Sequence, residues 1–102
     1  MIPLVEEKQK NLIAVCRRFG VRKIELFGSA AGEGFDAETS DLDFLVTFDD
    51  VGPGRYADSY FGLLEALEGL FQRRVDLVVS SVVQNPYFLE EIAKTRILLY
   101  AA

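Results

Sequence analysis

Apolar residues recur along the chain in stretches that predict alternating helices and strands. Spacings of three and four residues, typical of an amphipathic helix, run from Val5 to Phe19 and from Tyr56 to about Gln72. Runs rich in branched apolar residues predict four strands, at 21–27, 41–48, 74–79 and 97–100. A short helix is expected over 87–94, because Pro86 suits a first helical turn.

Turn-forming residues separate these elements and define their order. Gly20 stands where a helix C-terminal glycine is expected. Residues 28–40 predict a turn, with one helical turn at most, and then a loop; 49–54 predict another loop and 80–85 a connection. The order α-β-(turn)-β-α-β-α-β predicts an α/β (α+β) fold, a small mixed sheet flanked by helices. Cys16 and the stripe that begins at Tyr56 are interpreted as core.

Length and composition limit the classes of protein that the chain can belong to. With 102 residues and 50% hydrophobic residues, we expect one globular domain over 1–102. Neither a membrane span nor a signal peptide is recognisable, so a cytoplasmic location is expected. The chain has no histidine and one cysteine, which excludes histidine bases, internal disulfides and cysteine-based zinc sites. A net charge of −5 disfavours extensive nucleic-acid binding.

Three aspartates stand in segments that otherwise predict buried strands. Asp41 and Asp43 are two residues apart, so their side chains point to one side of a strand. Asp76 stands in the apolar run Val-Asp-Leu-Val. Buried carboxylates are costly unless compensated, and a hard cation such as Mg²⁺ is the natural compensation. Each aspartate alone is also compatible with a turn, cap or structural role.

A small-residue turn precedes these acids and predicts a phosphate site. Gly28 and Ser29 follow the first predicted strand, where backbone N–H groups can meet a phosphate. Three acids that converge at one end of the sheet could bind one or two divalent ions. Such ions stabilise the attacking and leaving oxygens of an in-line phosphoryl or nucleotidyl transfer. The third acid would also accept a proton from the attacking hydroxyl.

These motifs together resemble the signature of the polymerase-β-like nucleotidyltransferase superfamily. Gly28-Ser29, eleven intervening residues, Asp41-Leu42-Asp43 and the later Asp76 carry the resemblance. The length is similar to that of the minimal nucleotidyltransferases (MNT proteins), often encoded beside a HEPN-domain partner. The resemblance implies the polymerase-β-like fold, with ATP as substrate and Mg²⁺ bound by Asp41, Asp43 and Asp76. It also implies that Gly28 and Ser29 contact the triphosphate.

For MNT proteins paired with HEPN toxins, the resemblance implies AMP transfer to a tyrosine of the toxin, which makes this chain a candidate antitoxin in a hetero-oligomer. The arginines common after Gly-Ser in relatives are replaced by Ala30 and Gly32, followed by Glu33, which predicts weaker phosphate neutralisation. Two alternatives stay open: nucleotide transfer to a small hydroxyl compound such as an aminoglycoside, and a binding module that neutralises its partner by occlusion.

Overall fold

The computed structural model describes residues 3–31, 41–49, 54–82 and 85–102. Its helices and strands alternate in the predicted order. The helices are α1 (Pro3–Glu7), α2 (Gln9–Arg18), α3 (Tyr56–Phe71) and α4 (Pro86–Thr95). The strands are β1 (Val21–Phe27), β2 (Leu42–Phe48), β3 (Val75–Val79) and β4 (Ile97–Ala101). Short 3₁₀ turns cover Gly28–Ala31 and Ser80–Val82.

The four strands form one mixed sheet in the order β3-β2-β1-β4. β1 pairs antiparallel with β2 and with β4, whereas β2 and β3 are parallel. A parallel pair needs a crossover connection, and α3 lies between β2 and β3 in the sequence. The mixed sheet predicted from the sequence is therefore confirmed.

One face of the sheet carries the main hydrophobic core. Side chains of α1, α2 and α3 pack on it, and the rings of Phe44 and Phe71 stack with centroids 5.9 Å apart. Its fully buried members include the following strand and helix residues: Val5, Leu12, Cys16, Ile24, Leu26, Leu42, Val46, Leu63 and Leu67. Burial also raises the pKa of the Cys16 thiol to about 12, because the thiolate would lose its hydration. Cys16 is thus a core residue, as predicted.

The opposite face is only partly covered. Phe27, Leu45 and Ile92 form a second, smaller cluster beneath α4. The rings of Phe27 and Phe88 meet edge to face, with centroids 5.9 Å apart. Beyond this cluster, no further helix packs on β2 and β3 among the described residues. Their remaining side chains on this side, among them Asp43 and Asp76, form a surface, here called the open face.

The structure corrects several details of the predicted elements. The first predicted helix is broken at Lys8, because the polar run from Glu6 to Asn11 offers no apolar residue to pack. Gly20 has a φ of 70° and follows α2, as expected of a C-terminal glycine. Tyr56 is 44% exposed, so the stripe interpreted as core is not buried at its first residue. Residues 32–40, 50–53, 83 and 84 of the predicted loops lie outside the described residues.

Candidate functional site

Asp43 and Asp76 lie directly opposite each other on the parallel strands β2 and β3. On its other side, Asp43 is opposite Phe27, the last residue of β1. Partners in register point to the same face, and neighbouring strands are about 4.8 Å apart. The row therefore places two carboxylates side by side on the open face, next to the turn that begins at Gly28.

The three aspartates differ in their exposure. Asp43 is half-buried, whereas Asp76 is exposed, and Asp41 is exposed just before β2 begins. Of the three acids expected in buried surroundings, only Asp43 is even partly buried. The physical reason is the strand alternation, which sends the apolar neighbours into the core and the acids to the incompletely covered face.

The pKa of Asp43 is raised above its ordinary value. Desolvation by burial is the largest cause, and the negative charges of Asp76 and then Asp41 add to it. Each cause disfavours the ionised carboxylate. The site thus concentrates negative charge that a bound cation would relieve.

Gly28 lies against the carboxylate of Asp43. Its φ is +71°, a conformation that favours glycine, and a Cβ atom built at this position would overlap Asp43 Oδ2. The turn therefore needs glycine for two independent reasons. Because Gly28 has only a hydrogen atom in place of a side chain, its backbone can lie close to the Asp43 carboxylate. Ser29 follows within the same 3₁₀ turn.

The chemistry of the donor set fits a hard divalent cation. Carboxylate oxygens are the ligands that Mg²⁺ prefers, and Asp43 and Asp76 present them from adjacent strands. Among the described residues, however, no three acidic, histidine or cysteine side chains already surround one point. The structure therefore brings Asp43 and Asp76 together and keeps Asp41 near enough to affect Asp43, without a preformed cage.

Ala30 is one of the two positions at which the family resemblance predicts arginine. Ala30 is buried to 1% exposure and belongs to the main core, so this chain uses the position for packing. Gly32 and Glu33 lie outside the described residues. The turn after Gly28 is thus anchored by an apolar contact, and Ala30 provides no positive charge there.

Other groups of the open face were not predicted from the sequence. The hydroxyls of Thr47 and Ser80 are hydrogen-bonded at 2.7 Å across β2 and β3. Glu25 is 6% exposed and pairs with Lys23 at 3.4 Å and with Arg96 at 3.5 Å. In the sequence, the only sign of Glu25 was an acid that alternates with apolar residues on β1. Through its pair with Arg96, Glu25 ties the end of α4 to the sheet.

Two concave regions flank the row of acids. A cavity of about 270 Å³ lies between the β1 end and α4, lined by Phe27, Gly28, Phe88, Glu91, Ile92 and Thr95. A more apolar groove of about 490 Å³ lies between α3 and β3, on the side of Asp76. The glycine turn therefore borders the first cavity, and the strand that carries Asp76 borders the second.

A glycine turn beside paired carboxylates on the open face of a mixed sheet is the arrangement of a nucleotide-handling domain. Residues 9–99 match the family model of the nucleotidyltransferase domain. The chain belongs to this family and is a nucleotidyltransferase by descent. Both the recognition made from the motifs and the predicted fold class are confirmed.

Relatives of known name support the same assignment. The protein adenylyltransferase MntA of Thermococcus cleftensis is 43% identical over 68 residues, which span 67% of this chain and 65% of that protein. A Methanocaldococcus jannaschii protein, provisionally named a protein adenylyltransferase, is 36% identical over 75 residues, or 74% of this chain and 73% of its own length. The similarity thus extends over most of the chain.

Solved structures show the same fold. A protein provisionally described as a minimal nucleotidyltransferase superposes with a TM-score of 0.74 at 33% identity, covering 94% of this chain and 95% of its own. The Shewanella oneidensis MNT antitoxin complex with its tri-AMPylated HEPN toxin gives a TM-score of 0.65 at 18% identity, covering 95% and 72%. At that identity the second likeness shows the fold alone. No helix among the described residues is long and apolar enough to cross a membrane.

Proposed function

We propose that this chain transfers AMP from ATP to a hydroxyl group of a HEPN-type partner toxin and thereby acts as its antitoxin. The names of the relatives support AMP transfer to protein, and the structural likeness to an MNT antitoxin supports the partner class. A tyrosine is the proposed acceptor. The location in the cytoplasm and the single domain over 1–102 stay predictions.

The observation that carries this proposal is the row formed by Asp76, Asp43 and the β1 end. Across three strands it sets Asp76, Asp43 and the turn at Gly28 in sequence, for which we propose the roles of proton acceptor, cation ligand and phosphate site. An in-line nucleotidyl transfer needs the attacking oxygen, the phosphorus and the leaving oxygen in a line, because the acceptor enters opposite the leaving pyrophosphate. The order across the strands fits such a line, with the acceptor at the Asp76 end and the pyrophosphate at the Gly28 end.

In the proposed reaction, the acceptor oxygen attacks the α-phosphorus of ATP. A new P–O bond to the acceptor forms, the bond to the β-phosphate oxygen breaks, and pyrophosphate leaves. Asp76 accepts the proton of the acceptor hydroxyl, as an exposed carboxylate can. The backbone N–H groups at Gly28 and the hydroxyl of Ser29 hold the leaving phosphates.

Asp41 and Asp43, with Asp76, are the residues that would hold Mg²⁺ here, one ion or two. When bound, Mg²⁺ neutralises the triphosphate and the charge that develops on the leaving group. The raised pKa of Asp43 agrees with this role, because a site that repels its own ionised carboxylate gains most from a cation.

The proposal is tested by intact mass spectrometry of the partner. The chain is co-purified with the protein of the neighbouring gene and incubated with ATP and Mg²⁺. We expect an increase of one or more AMP units on the partner, which is lost in Asp43→Asn and Asp76→Asn. Asp58→Asn is a matched control, because Asp58 is an exposed acid in the first turn of α3.

Three outcomes would contradict the proposal. Neutralisation of the partner that survives Asp43→Asn without any added mass would indicate occlusion. Transfer of AMP to an aminoglycoside but not to the partner would indicate a small-molecule enzyme. An equal loss of AMP transfer in Asp58→Asn would show that removal of any exposed acid impairs the reaction, so that the row of Asp43 and Asp76 has no special role.

A further inference from the structure

β3 carries Asp76 but lies at the edge of the sheet that the described residues form, with β2 as its only strand neighbour there. The N–H of Leu42 donates to the carbonyl of Arg74 at 3.2 Å, which shows that Arg74 directs its backbone towards β2. Backbone groups alternate along a parallel pair, so Asp76 also faces β2, whereas Val75 and Leu77 face outwards. The strand is therefore paired on one side only, and Asp76 stands between two outward-facing residues.

Two side chains of α3 bind those outward-facing groups. The hydroxyl of Tyr60 donates to the carbonyl oxygen of Leu77 at 3.0 Å. The N–H of Val75 donates to Oε2 of Glu68 at 3.1 Å. Both bonds are partly buried, where a lost partner leaves a backbone group without compensation. Tyr60 and Glu68 thus bracket Asp76, one contact on each side along the strand.

We propose that Tyr60 and Glu68 are positioning residues that keep Asp76 level with Asp43. The inference rests on the proposed function, because the position of Asp76 matters only if Asp76 acts as cation ligand and proton acceptor. An edge strand presents N–H and C=O groups on its outer side that no neighbouring strand pairs with. The two hydrogen bonds supply on the outer side the restraint that a further strand would have given.

Packing keeps this role separate from overall stability. Leu77 and Val79 are 5% and 6% exposed and anchor β3 in the main core. Removal of one hydroxyl from Tyr60 leaves this apolar anchor and the ring in place. We therefore expect the strand to remain in the sheet but the Asp76 carboxylate to be less well fixed.

The test measures Mn²⁺ binding by electron paramagnetic resonance, with a non-hydrolysable ATP analogue present. Tyr60→Phe and Glu68→Ala each remove one contact, whereas Glu68→Gln keeps an oxygen that can accept from Val75. Tyr56→Phe and Glu65→Ala are matched controls, since both residues are exposed on the same helix. Amide hydrogen exchange of Asp76 and Val78, whose backbone groups face β2, reports independently on the strand.

We expect Tyr60→Phe and Glu68→Ala to weaken Mn²⁺ binding by roughly threefold to tenfold, which corresponds to the loss of one hydrogen bond. Exchange at β3 should become faster by a similar factor. The metal concentration for half-maximal AMP transfer should rise more than the maximal rate falls. Glu68→Gln should restore wild-type behaviour, and the two controls should not differ from wild type.

Unchanged Mn²⁺ affinity in both Tyr60→Phe and Glu68→Ala would refute the inference. So would an equal effect of Glu65→Ala, or a Glu68→Gln variant as weak as Glu68→Ala. The variant Asp76→Asn separates the two proposals. If it retains AMP transfer and Mn²⁺ binding, the proposed role of Asp76 is wrong. If it loses both while the two α3 variants lose neither, the positioning role alone is wrong.

Discussion

Gly28→Ala is the substitution that should separate the geometry of the site from its stability. Gly28 has a φ of +71°, and an added Cβ would overlap the Oδ2 atom of Asp43. The substitution therefore imposes two costs, backbone strain at a positive φ and displacement of a carboxylate proposed to bind the cation. The displaced carboxylate affects catalysis, whereas the backbone strain does not.

The two costs can be given magnitudes. An alanine held at positive φ costs about 1–2 kcal/mol relative to glycine. Overpacking against a neighbouring side chain adds about 1–3 kcal/mol. For a domain of this size, each 1 kcal/mol lowers Tm by about 4–8 °C. A carboxylate displaced by about 1 Å should reduce the rate of transfer by about 100-fold.

Gly54→Ala is the matched control. Gly54 has a φ of +81°, and a Cβ at this position meets no atom within 4 Å. It therefore carries the strain without the displacement. Thermal unfolding followed by circular dichroism measures the first effect, and AMP transfer below the lower Tm measures the second. We expect both variants to lose stability but only Gly28→Ala to lose activity.

Two results would refute this reasoning. Full activity of Gly28→Ala would show that the carboxylate of Asp43 moves without consequence, so that it does not bind the cation. Equal loss of activity in Gly54→Ala would show that strain alone, away from the acids, impairs the enzyme.

Three further predictions concern stability and reactivity. Gly69→Ala should raise the free energy of unfolding by about 0.5–1 kcal/mol, because Gly69 lies within a helix and an added Cβ meets no atom within 4 Å. Gly62→Ala should lower the free energy of unfolding, because its Cβ would meet the Phe19 ring. Chemical denaturation of both variants measures the two changes. Asn85→Ala should destabilise α4 by about 1 kcal/mol, because the side chain accepts from two N–H groups at its start, and hydrogen exchange in α4 measures this. The Cys16 thiol, with a pKa raised from 9.0 to about 12, should resist thiol reagents until the protein unfolds, and rapid labelling of the native protein would contradict this. The contribution of Cys16 to the free energy of unfolding should be constant below pH 9 and fall as the pH rises from 9 towards 12, because the unfolded thiol ionises first.

The sequence predicted most of the sheet because burial imposes a period that is visible in the residues. β1 was predicted with its observed ends, and β2 to β4 differ by a residue. The break at Lys8 followed from packing, which a periodic pattern does not report. The exposure of Tyr56 likewise depends on how far α3 extends past the core.

The acids of the site were predictable as a set but not in their arrangement. Polar residues inside apolar runs identified Asp43 and Asp76, yet their register depends on the pairing of distant strands. Tyr60 was assigned to an apolar stripe, and its hydrogen bond to Leu77 was invisible because it joins two elements in space. Sequence reasoning finds residues that violate a local pattern; it misses residues that satisfy the pattern and also serve another element.

The most direct test of the proposed site is a crystal structure of the chain with a non-hydrolysable ATP analogue and Mn²⁺, located by anomalous scattering. We predict Mn²⁺ at about 2.0–2.3 Å from carboxylate oxygens of Asp41, Asp43 and Asp76, with the terminal phosphates against the backbone of Gly28 and with Asp76 on the acceptor side. Mn²⁺ bound away from these aspartates, or phosphates bound away from the Gly28 turn, would contradict the account.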